Sequence, residues 1–383
     1  MTKFKTTLLA MAVSAAAFSV QAAQVSLYGS VSTGVLYQNQ ASLSGGTENQ
    51  ESKDSFTMES GFWGDSIWGI TGEEDLGNGW TVGFTLENEF GSDTGEMAGA
   101  DDSVLFDSQA YLRIGNDKVN FAFGNIGGLA SAGGDFDLLC AFDPMEAFVG
   151  VAGLGAFASK DYASGNMAVV EVTPMEGFKV SLMGNTGDDD SSEAKWSDRD
   201  HYYGLGVSYE NGPLALAAIA EMRKYNKLAE RNNLSDNDDS WTFTVAAAYD
   251  FEVIRPSFVY QHASKTREFA ASEGSSGGVY NFDSFMLGAT APLGQGTLRA
   301  SVQYVKGEND AVSDEEGSAT ILGLAYTYDM SKRTTLYGAA FYSVGGDGLD
   351  KDLGANETEF GLGLMGRADY NSVGFGVGLV HTF

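Results

Sequence analysis

Cysteine and proline are both scarce in this chain of 383 residues. There is one cysteine, Cys140, so no disulfide can form within the chain, and we interpret it as a small residue packed in a loop. The 5 prolines are scattered, and the glycines lie within alternating segments instead of forming a spacer. No linker is therefore expected, and a single domain is predicted in place of two or three.

Long apolar runs are missing after the first 22 residues. No later stretch approaches the ~18 apolar residues that a membrane-spanning helix needs. The beginning of the chain carries Lys3 and Lys5, an apolar stretch at 8–20, and the small-residue site Val20-Gln21-Ala22. This order predicts a secretory signal peptide over 1–22, and it disfavours the alternative of an uncleaved anchor. Residues 23–383 are then the exported domain.

Positive charge is also scarce. Lysine and arginine number 22 against 52 aspartates and glutamates, which gives a formal net charge of −30. Such a field repels nucleic acid and attracts cations, so a nucleic-acid partner is not expected. The same acidity would also keep long surface loops soluble, and both explanations can hold at once.

The chain is rich in segments whose residues alternate between two faces, and the last segment is the most informative. One face of 374–383 carries Phe375, Val377, Leu379, His381 and Phe383, while the other carries glycines, Val380 and Thr382. A strand with one apolar face that ends the chain on an aromatic residue is typical of an outer-membrane β-barrel. Phe383 is therefore our candidate for the assembly signal in the C-terminal strand.

Similar alternation predicts about sixteen strands, an even number as expected for bacterial barrels. They are placed at 24–37, 64–73, 80–91, 106–115, 118–125, 162–173, 177–186, 201–210, 213–225, 241–250, 254–264, 282–292, 296–306, 319–328, 334–344 and 373–383. Tight turns alternate with long loops at 38–60, 126–160, 187–200, 226–240, 265–281, 307–318 and 345–372. The prediction is an all-β, transmembrane antiparallel barrel with long outer loops, short periplasmic turns and a lumen wide enough for water.

Four segments of this pattern match one known family. Val25 to Gly29, Gly69 to Gly79, Phe106 to Leu112 and Val377 to Phe383 resemble, in order, segments of the Gram-negative general porins, especially those of β-proteobacterial type. The resemblance implies a homotrimer of sixteen-stranded, water-filled barrels. It also implies that the third outer loop, here 126–160, folds into the lumen as a constriction.

The chain departs from that family on the basic side of the constriction. Ile67, Thr71 and Asn125 stand where the family carries arginine or lysine, and Ser30 stands where some members carry lysine. A fourth frequent arginine falls near Ser164. Arg113 is a candidate for the inner wall, close to a periplasmic turn. We expect Ser30, Ile67, Thr71, Arg113 and Asn125 to line the wall opposite the third loop.

The acidic side of the constriction is retained in loop 126–160. This loop contains Asp135, Asp137, Asp143 and Glu146, together with many apolar residues that suit packing against the inner wall. A surface lid or a trimer contact is the alternative interpretation of the same apolar content. Because charged rings select counter-ions, the sequence predicts preference for cations over anions, weakening at high salt.

Catalytic and metal-binding patterns are absent from the sequence. His201, His262 and His381 lie on separate predicted strands without zinc-ligand spacing, and no G-x-S-x-G elbow is present. The acidic run 188–190 with Glu193, and Asp236 with Asp238 and Asp239, could hold Ca²⁺ or Mg²⁺, although solvated loop charge is favoured. No cofactor is expected, and the chain is predicted not to be an enzyme.

These features together predict a general diffusion porin of the outer membrane, reached after export through the periplasm. Its partners would be outer-membrane lipid and lipopolysaccharide, further copies of itself, and small hydrophilic solutes and cations. Two alternatives stay open. One is a substrate-specific channel for sugars or cationic peptides, and the other is a structural envelope barrel that loop 126–160 plugs.

Overall fold

The computed structural model describes residues 24–42, 53–61, 63–97, 104–131, 133–146, 154, 157, 164–187, 196, 199–224, 239–268, 278–309, 316–345 and 370–383. The predicted signal peptide, 1–22, lies outside these ranges, as do large parts of the predicted outer loops. Among the described residues, no helix is both long enough and apolar enough to cross a membrane.

Within the described ranges the chain forms seventeen strand segments and a 3₁₀ turn at Cys140–Phe142. The strands are β1 (Gln24–Ser42), β2 (Lys53–Ser60), β3 (Ile67–Gly77), β4 (Trp80–Glu89), β5 (Gln109–Gly115), β6 (Val119–Ile126), β7 (Ser164–Met175), β8 (Phe178–Asn185), β9 (His201–Asn211), β10 (Leu214–Lys224), β11 (Ser240–Tyr249), β12 (Arg255–Glu268), β13 (Gly278–Leu293), β14 (Gly296–Asn309), β15 (Glu316–Ser331), β16 (Thr334–Gly345) and β17 (Tyr370–Thr382). Every pairing between them is antiparallel, and the sheet closes on itself.

Seventeen segments make sixteen strand positions because β2 and β3 share one position. The outer half of β1 pairs with β2, from Thr33 opposite Ser60, and its beginning pairs with β3, from Gln24 opposite Glu73. The barrel therefore has sixteen strands, as predicted. The expected loop at 38–60 was wrong, because β1 continues to Ser42 and β2 occupies Lys53–Ser60. Phe56 and Met58 of β2 alternate with polar residues, but acidic neighbours concealed this short period in the sequence.

Serine side chains bridge the interruption at 61–66, where the chain leaves the wall. The Ser66 hydroxyl accepts from the backbone N–H of Ser32 at 3.0 Å and donates to the Ser32 carbonyl at 3.0 Å. The Ser92 hydroxyl donates to the same carbonyl at 2.7 Å, and the Ser60 hydroxyl donates to the carbonyl of Phe90 at 3.3 Å. These bonds take the place of the ladder contacts that an uninterrupted strand would make.

The two faces of the wall differ as the alternation predicted. Large apolar side chains on the outer face are exposed, for example Leu27 and Leu287 at 64% each. Such a continuous apolar exterior suits a hydrocarbon environment. The inner face instead carries buried polar residues such as Thr244, Gln261 and Ser284.

The last residue closes the barrel. The Phe383 backbone N–H donates to the Gly29 carbonyl at 3.0 Å, and the Gly29 N–H donates to the Phe383 carbonyl at 3.3 Å. These bonds extend the ladder between β1 and β17 by one residue beyond the pairing of Ser30 with Thr382.

We expect that deleting Phe383 lowers the yield of folded barrel, because it removes both hydrogen bonds to Gly29, worth roughly 2 kcal/mol at about 1 kcal/mol each. Folded and unfolded protein can be separated by their mobility on unheated gels after refolding into vesicles. Phe383→Ala, which keeps the backbone groups, is the control and should refold better than the deletion. Equal yields for the wild type and the deletion would contradict a role for this closure.

Candidate functional site

The described part of loop 126–160 lies inside the barrel, against the inner face of strands on its far side. The backbone N–H of Leu129 donates to the Tyr202 hydroxyl of β9 at 3.1 Å. The N–H of Ala130 donates to the Glu221 carboxylate of β10 at 3.3 Å, and Tyr202 donates to the same carboxylate at 2.6 Å. Leu129 and Ala130 are fully buried by these contacts.

The middle of the loop continues around the inner wall toward β12 and β13. Leu138 lies over Gly206 so closely that a Cβ there would come within 2.5 Å of the leucine Cδ1. Pro144 lies over Gly288 in the same way, at 2.5 Å from its Cγ. The Arg255 guanidinium of β12 donates to the carbonyl of Ala141 at 2.9 Å. Glycines on the wall thus leave the space that the loop occupies.

Arg299 of β14 holds the far end of the described loop. Its guanidinium donates to the Pro144 carbonyl at 3.1 Å and forms an ion pair with Glu146 at 2.7 Å. The guanidinium carbon also lies 5.5 Å from the centre of the Trp63 ring, within the range of a cation–π contact. Its Nε donates to the Thr327 hydroxyl at 3.3 Å. One arginine therefore joins three parts of the chain.

Trp63 belongs to a second segment that enters the lumen, the interruption at 61–66. Its carbonyl accepts from the Ser32 hydroxyl at 3.0 Å, and its ring stacks on Tyr337 of β16 with centroids 5.6 Å apart. The tryptophan is only 3% exposed. The sequence did not predict this segment, because a tryptophan near the end of a strand also fits an interfacial girdle.

The four predicted loop carboxylates do not form one ring. Asp135 accepts from the Tyr111 hydroxyl of β5, while Glu146 is paired with Arg299 on β14. Asp137 accepts from the N–H groups of Leu139 at 2.9 Å and Cys140 at 2.6 Å, and Asp143 accepts from that of Met145 at 2.8 Å. Two carboxylates therefore contact opposite walls, and the other two stabilise the turns of the loop itself.

Four of the five predicted wall residues lie on the inner face. Ser30 and Ile67 are paired across β1 and β3, Thr71 follows on the same face, and Arg113 forms an ion pair with Glu73 at 2.6 Å. Asn125 is a correction. It is paired with Ala110 on the same face as the exposed Leu112 and Phe123, and its amide donates to the Asp107 carbonyl at 2.9 Å. It therefore supports a turn on the outer side of the wall and does not line the lumen.

Sequence reasoning missed the carboxylates on β4. Glu87 follows Thr85 on the inner face, and Glu89 is opposite Ile67. Glu87 accepts hydrogen bonds from the Tyr28 hydroxyl at 2.8 Å, the Ser108 hydroxyl at 2.6 Å and the Gln109 amide at 3.2 Å. The period of two along β4 was a signal that could have identified both glutamates. Arg255 and Arg299 were missed because they come from strands far along the chain.

Gln109 connects this acidic wall to the loop. Its amide nitrogen donates to Glu87, and its amide oxygen accepts from the backbone N–H of Asp135 at 3.0 Å. The hydroxyl and amide groups that donate to the Glu87 and Asp135 carboxylates are all neutral. Two carboxylates thus share one corner of the lumen.

The chemistry of the remaining polar groups is limited. Desolvation by the surrounding protein, with the Asp137 carboxylate beside it, raises the pKa of the Cys140 thiol, so the thiol stays neutral. Within the described ranges, no group of three or more His, Cys, Asp or Glu residues is arranged to hold a metal ion. The acidic run 188–190 with Glu193 lies outside those ranges, as do Asp236 and Asp238, while Asp239 is half-buried next to β11.

Comparison with known proteins agrees with this architecture. Residues 6–349 match the family model described as Gram-negative porin. The chain is 29% identical to an outer membrane porin protein of Bordetella pertussis over 95% of this chain and 100% of that protein. It is 27% identical to outer membrane porin protein 32 of Delftia acidovorans over 99% of this chain and 100% of that protein.

A solved structure has the same fold. The anion-selective porin from Comamonas acidovorans superposes with a TM-score of 0.69 at 22% identity, covering 94% of this chain and 100% of that one. The closed sixteen-stranded wall, the loop inside it and these matches lead to one conclusion. The chain belongs to the Gram-negative porin family, so it is a multi-pass outer-membrane channel for diffusion and not an enzyme.

Proposed function

We propose that this channel is a general diffusion porin for small hydrophilic solutes and that it prefers cations. The observation that carries the preference is the acidic corner formed by Glu87 and Asp135, joined through Gln109. Both carboxylates accept from hydroxyl or amide groups, which orient them without cancelling their charge. A cation passing this corner would be stabilised, whereas an anion would be repelled.

The opposite wall supplies less free charge than its arginines suggest. The charge of Arg299 is offset by Glu146, 2.7 Å away, whereas Arg255 donates to an uncharged carbonyl and keeps its positive charge. The field across the lumen would therefore run from β12 and β14 toward β4 and β5, with carboxylates in excess. The whole chain carries a net charge of −30, which reinforces the attraction of cations at the mouth.

Porins that share a fold need not share the same ion selectivity. The Comamonas porin is anion-selective, and that selectivity is a property of that protein. At 22% identity the comparison supports the fold alone, and the charges inside the lumen can differ. The acidic corner is the reason for proposing the opposite sign here.

We further propose that 1–22 is removed on export, that three copies assemble, and that loop 126–160 is the constriction. The carboxylates Asp135 and Glu146 would then act on passing solutes, whereas Asp137 and Asp143 would maintain the shape of the loop.

Binding of Ca²⁺ or Mg²⁺ between the acidic outer loops and lipopolysaccharide is a secondary proposal. A calcium titration of the trimer that releases no heat beyond charge screening would reject it.

Reversal potentials in a planar bilayer under a KCl gradient test the preferred sign. We expect cation selectivity that weakens as salt increases, because the Debye length falls to about 3 Å at 1 M. Changing Glu87→Gln and Asp135→Asn together should reduce the cation-to-anion permeability ratio, by about threefold for each charge within ~6 Å of the ion in water. The control Glu176→Gln, exposed in the tight turn between β7 and β8, should leave the ratio unchanged.

Other outcomes of that measurement separate the alternatives. Anion preference of the wild type would overturn the proposed sign. Flux that saturates with one sugar or cationic peptide would indicate a substrate-specific channel. Folded protein without conductance would indicate the plugged structural barrel.

Arg299→Ala tests whether the loop narrows the channel. Losing the bonds to Pro144 and Glu146 should free the loop, so single-channel conductance should rise and spontaneous closures should become more frequent. Arg299→Lys keeps the charge and should leave ion selectivity closer to that of the wild type than Arg299→Ala does. Arg333→Ala, in an exposed turn, is the control. Unchanged conductance and gating in Arg299→Ala would show that the loop does not limit flow.

Native mass spectrometry of the protein extracted from its own membrane tests processing and assembly together. We expect an assembly of three chains, each beginning at Ala23. A chain that retains residues 1–22 would reject the signal peptide, and a monomeric mass in mild detergent would reject the trimer.

A further inference from the structure

The interruption at 61–66 forms a tight loop that projects from the wall into the lumen. Its two glycines, Gly61 and Gly64, have positive φ angles of 67° and 74°, which residues with a side chain rarely adopt. A Cβ on Gly61 would lie 3.5 Å from the Cα of Asp65, in van der Waals contact. The chain therefore reverses its direction between 61 and 65, and the residues at the tip stand clear of the strand ladder.

Both sides of this tight loop are anchored to other parts of the barrel. Before its tip, the Trp63 ring lies against the Arg299 guanidinium of β14, which also binds the far end of the third loop. After the tip, the Ser66 carbonyl accepts from the backbone N–H of Phe90, directly after β4, at 2.9 Å. Asp65 lies between these two anchors, so its backbone is held in the space between β4 and the third loop.

Asp65 is in contact with water although protein surrounds it. Its neighbour Ser66 is buried, whereas Asp65 itself is exposed. Desolvation by the surrounding protein raises the pKa of its carboxyl group, and the charge of Glu87 raises that pKa further. Exposure together with desolvation indicates a side chain that lines an enclosed, water-filled space. Within the described ranges, no hydrogen-bond donor and no cation is paired with the Asp65 carboxylate.

Cys140 of the third loop borders the same space. It begins the 3₁₀ turn of that loop and is exposed, like Asp65. Desolvation contributes most to the raised pKa of its thiol, the Asp137 carboxylate comes next, and the Asp65 carboxylate also contributes. Two exposed groups that interact electrostatically inside a barrel face one water-filled passage. The passage therefore runs between the interruption at 61–66 and the third loop.

We propose that Asp65 is a further specificity-determining residue of this channel. The interruption carries its carboxylate into the passage, where it adds to the field of Glu87 and Asp135 from a third segment of the chain. A cation that passes between the interruption and the third loop is attracted by all three carboxylates, and an anion is repelled. This inference rests on the cation preference proposed above, and it assigns part of that preference to the interrupted strand.

Chemical labelling of Cys140 measures the electrostatic potential at this point. The chain has one cysteine, so methanethiosulfonate reagents modify one site, forming a mixed disulfide and releasing methanesulfinate. Two reagents of similar size are compared on the folded channel in vesicles, one ending in trimethylammonium and one in sulfonate. Each rate is divided by the rate of the same reagent with free 2-mercaptoethanol. We expect the cationic reagent to react faster. The ratio of the two rates is independent of the thiol pKa, because both reagents consume the same thiolate.

Asp65→Asn should lower this rate ratio by roughly fourfold at low ionic strength. One charge ~10 Å away in water changes each rate by about twofold, and the two reagents respond in opposite directions. Asp65→Glu keeps the charge and should retain the ratio. Asp117→Asn, exposed in the tight turn between β5 and β6, is the matched control and should react as the wild type does. Of these three variants, Asp65→Asn alone should also shift the reversal potential toward lower cation selectivity.

The outcomes distinguish the role of Asp65 from the cation preference itself. An unchanged reversal potential in Asp65→Asn that is folded on unheated gels would overturn the role of Asp65, even where the wild type selects cations. An unchanged rate ratio would overturn its placement beside Cys140. A wild type that selects anions would overturn the proposed preference, whereas a lower ratio in Asp65→Asn would still support the role of Asp65. If Cys140 reacts with neither reagent, the reversal potential of Asp65→Asn decides.

Discussion

A bilayer offers no water to an unpaired backbone amide or carbonyl, and this constraint shapes every part of the wall. The sheet must therefore return to its first strand, and β1 meets the requirement by pairing with β17 on one side and with β2 and β3 on the other. The final residue takes part, because the backbone of Phe383 pairs with that of Gly29. Where the wall is broken at 61–66, serine hydroxyls satisfy groups that the ladder leaves unpaired.

Closing the sheet creates a polar interior. A loop that enters this interior must also find hydrogen-bond partners for its own backbone. The loop after β6 enters with apolar residues that become fully buried, among them Leu129 and Met145. Its backbone N–H groups donate to Tyr202 and Glu221, and the Pro144 carbonyl at its far end accepts from Arg299. Packing and hydrogen bonding thus hold an irregular segment inside a barrel whose own strands are regular. The loop contacts the wall at two places of opposite charge. Carboxylates lie near β4 and β5, and arginines lie on β12 and β14.

The strands were predictable because a period of two residues is a local property, readable within one segment. This period placed all sixteen positions, but it failed to reveal β2, the segment that shares a position with β3 and in which Phe56 and Met58 stand among acidic and polar residues. Asn125 was misplaced because the inner face of β6 was assigned by resemblance. Counting alternate residues from the exposed Phe123 would have placed Asn125 on the outer face. The contacts of the loop could not be predicted from the sequence. Arg299 and Pro144 are 155 positions apart, and no local pattern indicates that they meet.

The interruption at 61–66 has a consequence for how such a protein can diverge. The segment that carries Trp63 into the lumen is also the segment that leaves the wall, and Ser32 binds both the broken ladder and the tryptophan carbonyl. The same few side chains therefore hold the wall together and shape the lumen at this place. A lineage that alters its permeability by moving this segment must change its architecture in the same step, whereas a residue on an unbroken strand, such as Glu87, can change its charge without interrupting the backbone ladder. Adaptation to new solutes should therefore proceed through the second kind of position, and the interrupted strand should change slowly.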